Sequence, residues 1–75
     1  MVEIVQIKMA RAALGWSGRE LSKRARVAHN TVARIEVGYD ALFETIKSLQ
    51  AALEKGGVIF IPRDANGGPG VRLKR

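Results

Sequence analysis

The spacing of apolar residues predicts four helices within residues 1–56. In the first and the last of these helices, apolar side chains recur at the intervals expected where one face packs on a core. Gly15 ends the first helix, and Gly56 ends the last. The two stripes, which we expect to lie in the core, are Ile4, Ile7, Ala10 and Leu14 in the first helix and Leu42, Ile46, Leu49 and Leu53 in the last.

The second helix is predicted from a capping signal. Ser17 is followed by Glu20 at the spacing of a capping box, in which the Ser17 hydroxyl accepts from the Glu20 amide and the Glu20 carboxylate reaches back to the Ser17 amide. Trp16 and Leu21 then occupy the two positions of a hydrophobic staple. We therefore interpret Trp16 as a packing anchor.

The second helix ends near Ala25, and a third follows from about His29 to Val37. Two short helices joined by a tight turn are typical of the helix-turn-helix motif. One face of the third helix holds Ala28, Val32, Ile35 and Glu36, and the opposite face holds His29, Asn30, Ala33 and Arg34. Asparagine can bond to adenine, arginine to guanine, and an alanine methyl can meet the thymine methyl, so this second face fits the major groove of DNA.

The chain changes character after residue 55, where most of the glycines and both prolines lie. Residues 58–61 form a short, largely β-branched run that Pro62 ends, which predicts a strand. Residues 63–70 are typical of a loop, with a turn signal at Asn66 and Gly67. Apolar and basic residues alternate in 71–74 and predict a second strand, and hence a hairpin.

Both faces of the first predicted strand are apolar, and a two-stranded hairpin alone is marginal in water. One face can pack on the helices, and a second copy of the chain can cover the other by pairing strand edges across a two-fold axis. We therefore expect a homodimer, with a hairpin folded on its own helices in a monomer as the alternative. The expected dimerisation residues are Val58, Ile59, Phe60, Ile61, Val71 and Leu73.

Composition narrows the class of function. A chain of 75 residues predicts one domain, with a helical core over 1–56 and a β extension over 57–75, and makes a large catalytic cleft improbable. The 13 Lys and Arg residues against 7 Asp and Glu give a net charge of +6, which favours a polyanionic partner. The absence of cysteine excludes disulfides and fits a reducing cytoplasm, and the single histidine excludes a multi-histidine metal site. We see no signal peptide or membrane span and expect neither catalysis nor a cofactor.

The residues of the middle helices resemble the phage-repressor-type helix-turn-helix family, which is lambda repressor and Cro-like and is also called XRE. The resemblance covers roughly residues 6–55 and rests on the motifs RAALGWS from Arg11, ELS from Glu20, A-x-V from Ala25 and TVARIE-x-G from Thr31. It implies a mainly α, four-helix DNA-binding domain, here followed by a short C-terminal β-hairpin or dimerisation strand. It also implies that the third helix lies in the major groove and that a dimer binds a palindromic operator.

The resemblance also implies roles for individual residues. Arg11 lies on the apolar stripe of the first helix, where an unpaired guanidinium would be costly, and the family pairs this arginine with the glutamate at Glu36. Base contacts fall on His29, Asn30 and Arg34, beside which Ala33 offers its methyl. The expected phosphate contacts are Ser17, Gly18, Arg19, Lys23, Arg26, Thr31 and Tyr39.

Three positions depart from the family pattern. Gly18 replaces a glutamine that binds phosphate, so only backbone amides remain for that contact. Arg26 replaces a turn glycine, so the turn either takes a left-handed backbone at a cost of about 1 kcal/mol or has another shape. Ala28 replaces the usual N-cap of the third helix. If Asn30 takes over the cap, it cannot also bond to adenine.

The sequence thus predicts a transcriptional regulator that binds double-stranded DNA sequence-specifically as a homodimer, with repression as the family default. The alternative belongs to another class. An antitoxin-like module, or another interaction module, would use the apolar C-terminal strand to bind a partner protein.

Overall fold

The computed structural model describes residues 1–75, the whole printed sequence. Its elements are α1 (Ile4–Leu14), α2 (Gly18–Ala25), α3 (His29–Glu36), α4 (Phe43–Lys55), β1 (Val58–Ile61) and β2 (Gly70–Leu73). The predicted mainly helical fold with a C-terminal hairpin is confirmed. None of the helices is both long and apolar enough to cross a membrane.

One hydrophobic core lies between the helices and the hairpin. Its buried residues are Ile7, Ala10, Leu21, Val32, Ile35, Ile46, Leu49, Leu53 and Val58. Burying a side chain of the size of Val58, which is 1% exposed, stabilises a fold by roughly 1.5–3 kcal/mol. The hairpin therefore completes the core that the helices begin.

The prediction that Leu42 begins the apolar stripe of α4 is wrong, because this side chain is 77% exposed. The helix starts one residue later, at Phe43, and Leu42 is its N-cap with an extended backbone (φ −66°, ψ 145°). A residue outside the helix does not follow the helical spacing that predicted its burial. Ala28, the N-cap of α3, is exposed for the same reason.

The start of α2 has half of the predicted capping box. The Ser17 hydroxyl accepts from the Glu20 amide at 3.0 Å, as predicted. The Glu20 carboxylate, however, accepts from Arg24 Nε at 2.6 Å, and no bond to the Ser17 amide forms. An ion pair along the helix has replaced the reciprocal contact.

Trp16 is half-buried against the core and lies over Gly56 at the end of α4. A Cβ at position 56 would come within 2.7 Å of the indole ring, so glycine is what allows the ring to lie there. The Arg24 guanidinium covers the ring at 4.4 Å from its centroid. Trp16 thus packs against the end of α4 from its position just before α2. This agrees with its interpretation as a packing anchor.

The turn between α2 and α3 takes the left-handed form. Arg26 has φ 57° and is the one non-glycine residue with positive φ. The Ser22 carbonyl accepts from the amides of Arg26 and Val27, and the Ser22 hydroxyl donates to the Val27 carbonyl at 2.6 Å. These bonds hold Arg26 in a conformation that costs about 1 kcal/mol for a residue with a Cβ.

Helices α1 and α3 end in the same backbone motif. In α1, Gly15 (φ 72°) is followed by Trp16, whose amide donates to the Arg11 carbonyl at 2.9 Å. In α3, Gly38 (φ 107°) is followed by Tyr39, whose amide donates to the Arg34 carbonyl at 3.0 Å. Each glycine amide donates in turn to the next carbonyl along its helix, which completes a Schellman motif.

The hairpin is antiparallel, and the outermost pairs of its register are Val58 with Leu73 and Ile61 with Gly70. The end next to its connecting loop is held by Gln6, a buried residue of α1 whose side-chain Nε2 donates to the carbonyls of Ile61 at 2.9 Å and Gly70 at 3.0 Å. The Oε1 of the same amide accepts from the Glu3 backbone at 2.8 Å. One side chain therefore both caps α1 and fixes the two strands to it.

A candidate nucleic-acid interface

The buried side chains of α3 determine which face of the helix is turned to solvent. Val32 and Ile35 are each 1% exposed and face the core, together with Leu21 of α2. This burial turns the opposite face of α3 outward, as the helical spacing predicted. The helix-turn-helix formed by α2 and α3 therefore presents one well-defined face to solvent.

An ion pair fixes the far end of α3 to α1. Arg11 donates to the Glu36 carboxylate through Nε and Nη2, both at 2.9 Å, and its Nη1 donates to the Trp16 carbonyl at 3.1 Å. The two side chains are 27% and 12% exposed. The hydrogen bonds that Arg11 donates to Glu36 raise the pKa of Arg11 above its ordinary value, while partial burial opposes that shift.

Asn30, Ala33 and Arg34 are exposed on the outward face of α3. The first backbone bond of the helix runs from the Val32 amide to the Ala28 carbonyl, and no side chain caps the helix. Asn30 does not act as a cap, and its side-chain amide makes no hydrogen bond within the chain. Asn30 and Arg34 thus stand one turn apart with only a methyl group between them.

His29 is placed differently from the other three residues predicted to contact bases. It is half-buried at the start of α3, and a Cβ added to Gly18 would be 3.6 Å from its Cε1 atom. Its Nδ1 is buried and has no hydrogen-bond partner. The imidazole ring therefore fills the space beside Gly18, and a contact from this ring to DNA has to be made through Nε2.

Arg34 is exposed but not unconstrained. Its guanidinium carbon lies 4.4 Å from the centroid of the Tyr39 ring, a cation–π arrangement. No carboxylate pairs with it. The fork of N–H donors on Arg34 is consequently available to a ligand, while one face of the guanidinium rests on the ring.

Most of the residues predicted to contact phosphate are exposed. Ser17, Arg19, Lys23, Arg26 and Tyr39 are exposed, whereas Gly18 and Thr31 are half-buried. None of the three ion pairs in the structure involves Arg19, Lys23 or Arg26. Arg24 differs from these cations because Glu20 and Trp16 engage it.

The residues predicted to form a dimer fall into two groups. Val58 is buried, and Phe60 and Val71 are half-buried against the helices. Ile59, Ile61 and Leu73 remain exposed, by 43%, 36% and 42%. Only the second group offers apolar side chains to another molecule.

Two contacts that shape the site escaped sequence reasoning. Nothing in the spacing of α1 marked Gln6 as the residue that holds the hairpin, because an amide on an apolar face has no unique partner in sequence. The stack between Tyr39 and Arg34 does have a signal in the sequence, which is an aromatic residue directly after the glycine that ends a helix. The positive φ of Gly38 brings the Tyr39 ring back beside Arg34.

Comparison with known families gives a match to the Helix-turn-helix family over residues 7–58. A comparison with curated proteins finds no match. The matched region spans the ion pair between Arg11 and Glu36, the outward face of α3 and the turn at Arg26. The chain belongs to the helix-turn-helix family of the phage-repressor (XRE) type, a family of DNA-binding regulators.

Proposed function

We propose that the protein is a sequence-specific transcriptional repressor that binds a palindromic operator as a homodimer, with α3 in the major groove. The observation that carries the proposal is the outward face of α3. It combines an uncommitted amide, a small methyl-bearing residue and an unpaired guanidinium within one turn of an eight-residue helix.

Each residue of this face has a role that its chemistry supports. Asn30 bonds to adenine through its free amide, Arg34 bonds to guanine, and Ala33 contacts the thymine methyl. His29 contributes through Nε2, since its other nitrogen is buried. A helix of this length reads only a few base pairs, which is one reason that the proposal includes a second copy.

Phosphate contacts set the register of the helix on DNA. The uncapped first turn of α3 and the start of α2 at Ser17 and Gly18 offer backbone amides. Arg19, Lys23, Arg26 and Thr31 add side-chain donors. Each contact of a Lys or Arg side chain with a phosphate releases counterions, so binding weakens as salt concentration rises.

The hairpin supports dimerisation. The Lys74 amide donates to the Gly57 carbonyl at 2.8 Å, which makes these residues a hydrogen-bonded pair. By the alternation of antiparallel ladders, Val58 and Phe60 then turn their backbone groups toward the outer edge of β1. This edge and the exposed side chains of Ile59 and Ile61 fit a second copy of the strand.

Selection of bound sequences from random double-stranded DNA tests DNA recognition. We expect an inverted repeat whose half-sites contain an adenine and a guanine at the positions read by Asn30 and Arg34. A single unrepeated site would contradict the dimer. Retention without any enriched sequence would contradict specific recognition.

Sedimentation of Ile59→Lys tests the dimer independently of DNA. This side chain is exposed, so the variant keeps the core while placing like charges near a two-fold axis. We expect a shift from dimer to monomer, with Lys47→Ala as the matched surface control. An unchanged dimer would exclude the hairpin as the interface, and a monomeric wild type that co-purifies with another protein would favour the interaction-module alternative.

A further inference from the structure

Tyr39 lies beside the outward face of α3, but its contacts indicate a role other than binding phosphate. It is 56% exposed and is positioned by the turn at Gly38, where positive φ brings the chain back over the last turn of α3. In Schellman motifs the residue after the glycine commonly makes an apolar contact with the helix. Here that contact is the stack of Tyr39 on Arg34, at 4.4 Å.

The stack and base recognition use different parts of the guanidinium. A cation–π contact occupies one face of the guanidinium plane, whereas bonds to the O6 and N7 atoms of guanine come from N–H groups at its edge. Arg34 can therefore keep Tyr39 and bind a base at the same time. The ring also limits the rotamers of a long side chain that would otherwise be ordered only on binding.

We propose that Tyr39 is a specificity-determining positioning residue, which acts through Arg34 by holding its guanidinium in the orientation that reads the base. The inference rests on the proposed function, because it assigns Arg34 to a base. This positioning role and the phosphate contact expected from the sequence require different parts of the Tyr39 side chain. The aromatic ring is essential, and the hydroxyl is not.

Two substitutions separate the ring from the hydroxyl. Tyr39→Phe keeps the ring, and Tyr39→Leu removes it but retains an apolar side chain. Both affect an exposed residue, so both are expected to fold as the wild type does, which thermal unfolding checks. Affinity is measured on the selected operator and on random DNA over a range of salt concentrations.

We expect Tyr39→Phe to bind the operator as the wild type does, and Tyr39→Leu to lose about two- to fivefold in affinity for the operator alone, the loss that corresponds to an exposed cation–π contact. In an Arg34→Ala background, Tyr39→Leu should have no further effect. An equal loss on both DNAs in Tyr39→Phe, with an unchanged salt slope, would instead identify a phosphate contact through the neutral hydroxyl. Additive losses in Tyr39→Leu and Arg34→Ala would likewise overturn the proposal.

A measurement without DNA distinguishes failure of the stack from failure of DNA recognition. In the free protein, the side-chain protons of Arg34 should show upfield NMR shifts from the ring, which Tyr39→Phe keeps and Tyr39→Leu abolishes. Shifts unaffected by Tyr39→Leu would contradict the stack itself. If the shifts respond as expected but the protein enriches no DNA sequence, the stack is present and its proposed role in recognition is overturned.

Discussion

The ends of α1 and α3 carry the same sequence pattern, an arginine, three further residues, a glycine with positive φ and an aromatic residue. The backbone bonds of the two ends are also the same. Arg11, however, turns to a carboxylate, while Arg34 lies on the ring of its own motif. The surroundings therefore decide whether the arginine supports the fold or faces a ligand.

The aromatic residues account for part of this difference. Trp16 packs on Gly56 and is covered by Arg24, so its ring is engaged by residues other than Arg11. Tyr39 has no such neighbours and is available to Arg34. The other part of the difference comes from Glu36, because its carboxylate lies on the side of α3 that contacts α1.

The largest expected effect follows from removing that carboxylate. Glu36→Ala leaves Arg11 without its ion pair, and we expect a loss of about 3 kcal/mol in the free energy of unfolding, toward the lower end for a buried pair because Arg11 is partly exposed. Urea denaturation measures the loss. Combining Glu36→Ala with Arg11→Ala should give much less than the sum of the single losses, and additivity would contradict the pairing.

Arg34→Ala should separate the two arginines by function. If the guanidinium edge reads a base, as proposed, binding to the selected operator should weaken by about 1–3 kcal/mol and the preference at one base pair should relax. Its free energy of unfolding should stay within about 0.5 kcal/mol of the wild type. An equal loss on random DNA would show that Arg34 contacts phosphate only.

The end of α2 extends the comparison, because it has arginine where α1 and α3 have glycine. Arg26→Gly relieves the left-handed strain, and we expect a gain of about 1 kcal/mol in the free energy of unfolding. If Arg26 also contacts phosphate, the same variant should bind DNA more weakly, with a salt slope reduced by about one. A loss of stability would contradict the assignment of strain to this residue.

The smallest effect concerns Arg63, which repeats the two-bond geometry of Arg11 at the surface. Arg63 donates to Glu3 through Nε at 2.8 Å and Nη2 at 2.7 Å, and these bonds lower the pKa of Glu3 from its ordinary value of 4.5. A lowered folded-state pKa adds stability above the ordinary value and loses it as the pH falls through the folded value. The difference in stability between wild type and Glu3→Gln should thus be largest near neutral pH and vanish in acid.

Comparison of Glu3→Ala with Glu36→Ala tests whether burial or geometry determines the strength of such pairs. We expect Glu3→Ala to lose clearly less free energy of unfolding than Glu36→Ala, since both side chains of the pair between Arg63 and Glu3 are largely solvated. Equal losses would mean that the two-bond geometry alone carries the energy.

Local patterns predicted the fold well because they act over short distances in the chain. The spacing of Ile46, Leu49 and Leu53 requires only that α4 be a helix, and the cap at Ser17 requires only the next turn. Leu42 was predicted wrongly because the start of a helix is less certain than its existence.

The parts of the site that could not be predicted depend on contacts across the fold. The burial of His29 depends on how closely α2 approaches α3 at Gly18, which no spacing encodes. The partners of Gln6 lie 55 and 64 residues away. The outward face of α3 was predictable because it is simply the face opposite Val32 and Ile35.

The bonds from Gln6 to Ile61 and Gly70 bear on when the fold is completed during synthesis. The ribosome releases the chain from its N-terminus, so α2 and α3 emerge long before the strands that Gln6 needs. Val58, which completes the core, also emerges after the last helix. A nascent chain therefore completes its core, and ties α1 to the hairpin, only after Val58, Ile61 and Gly70 have left the ribosome.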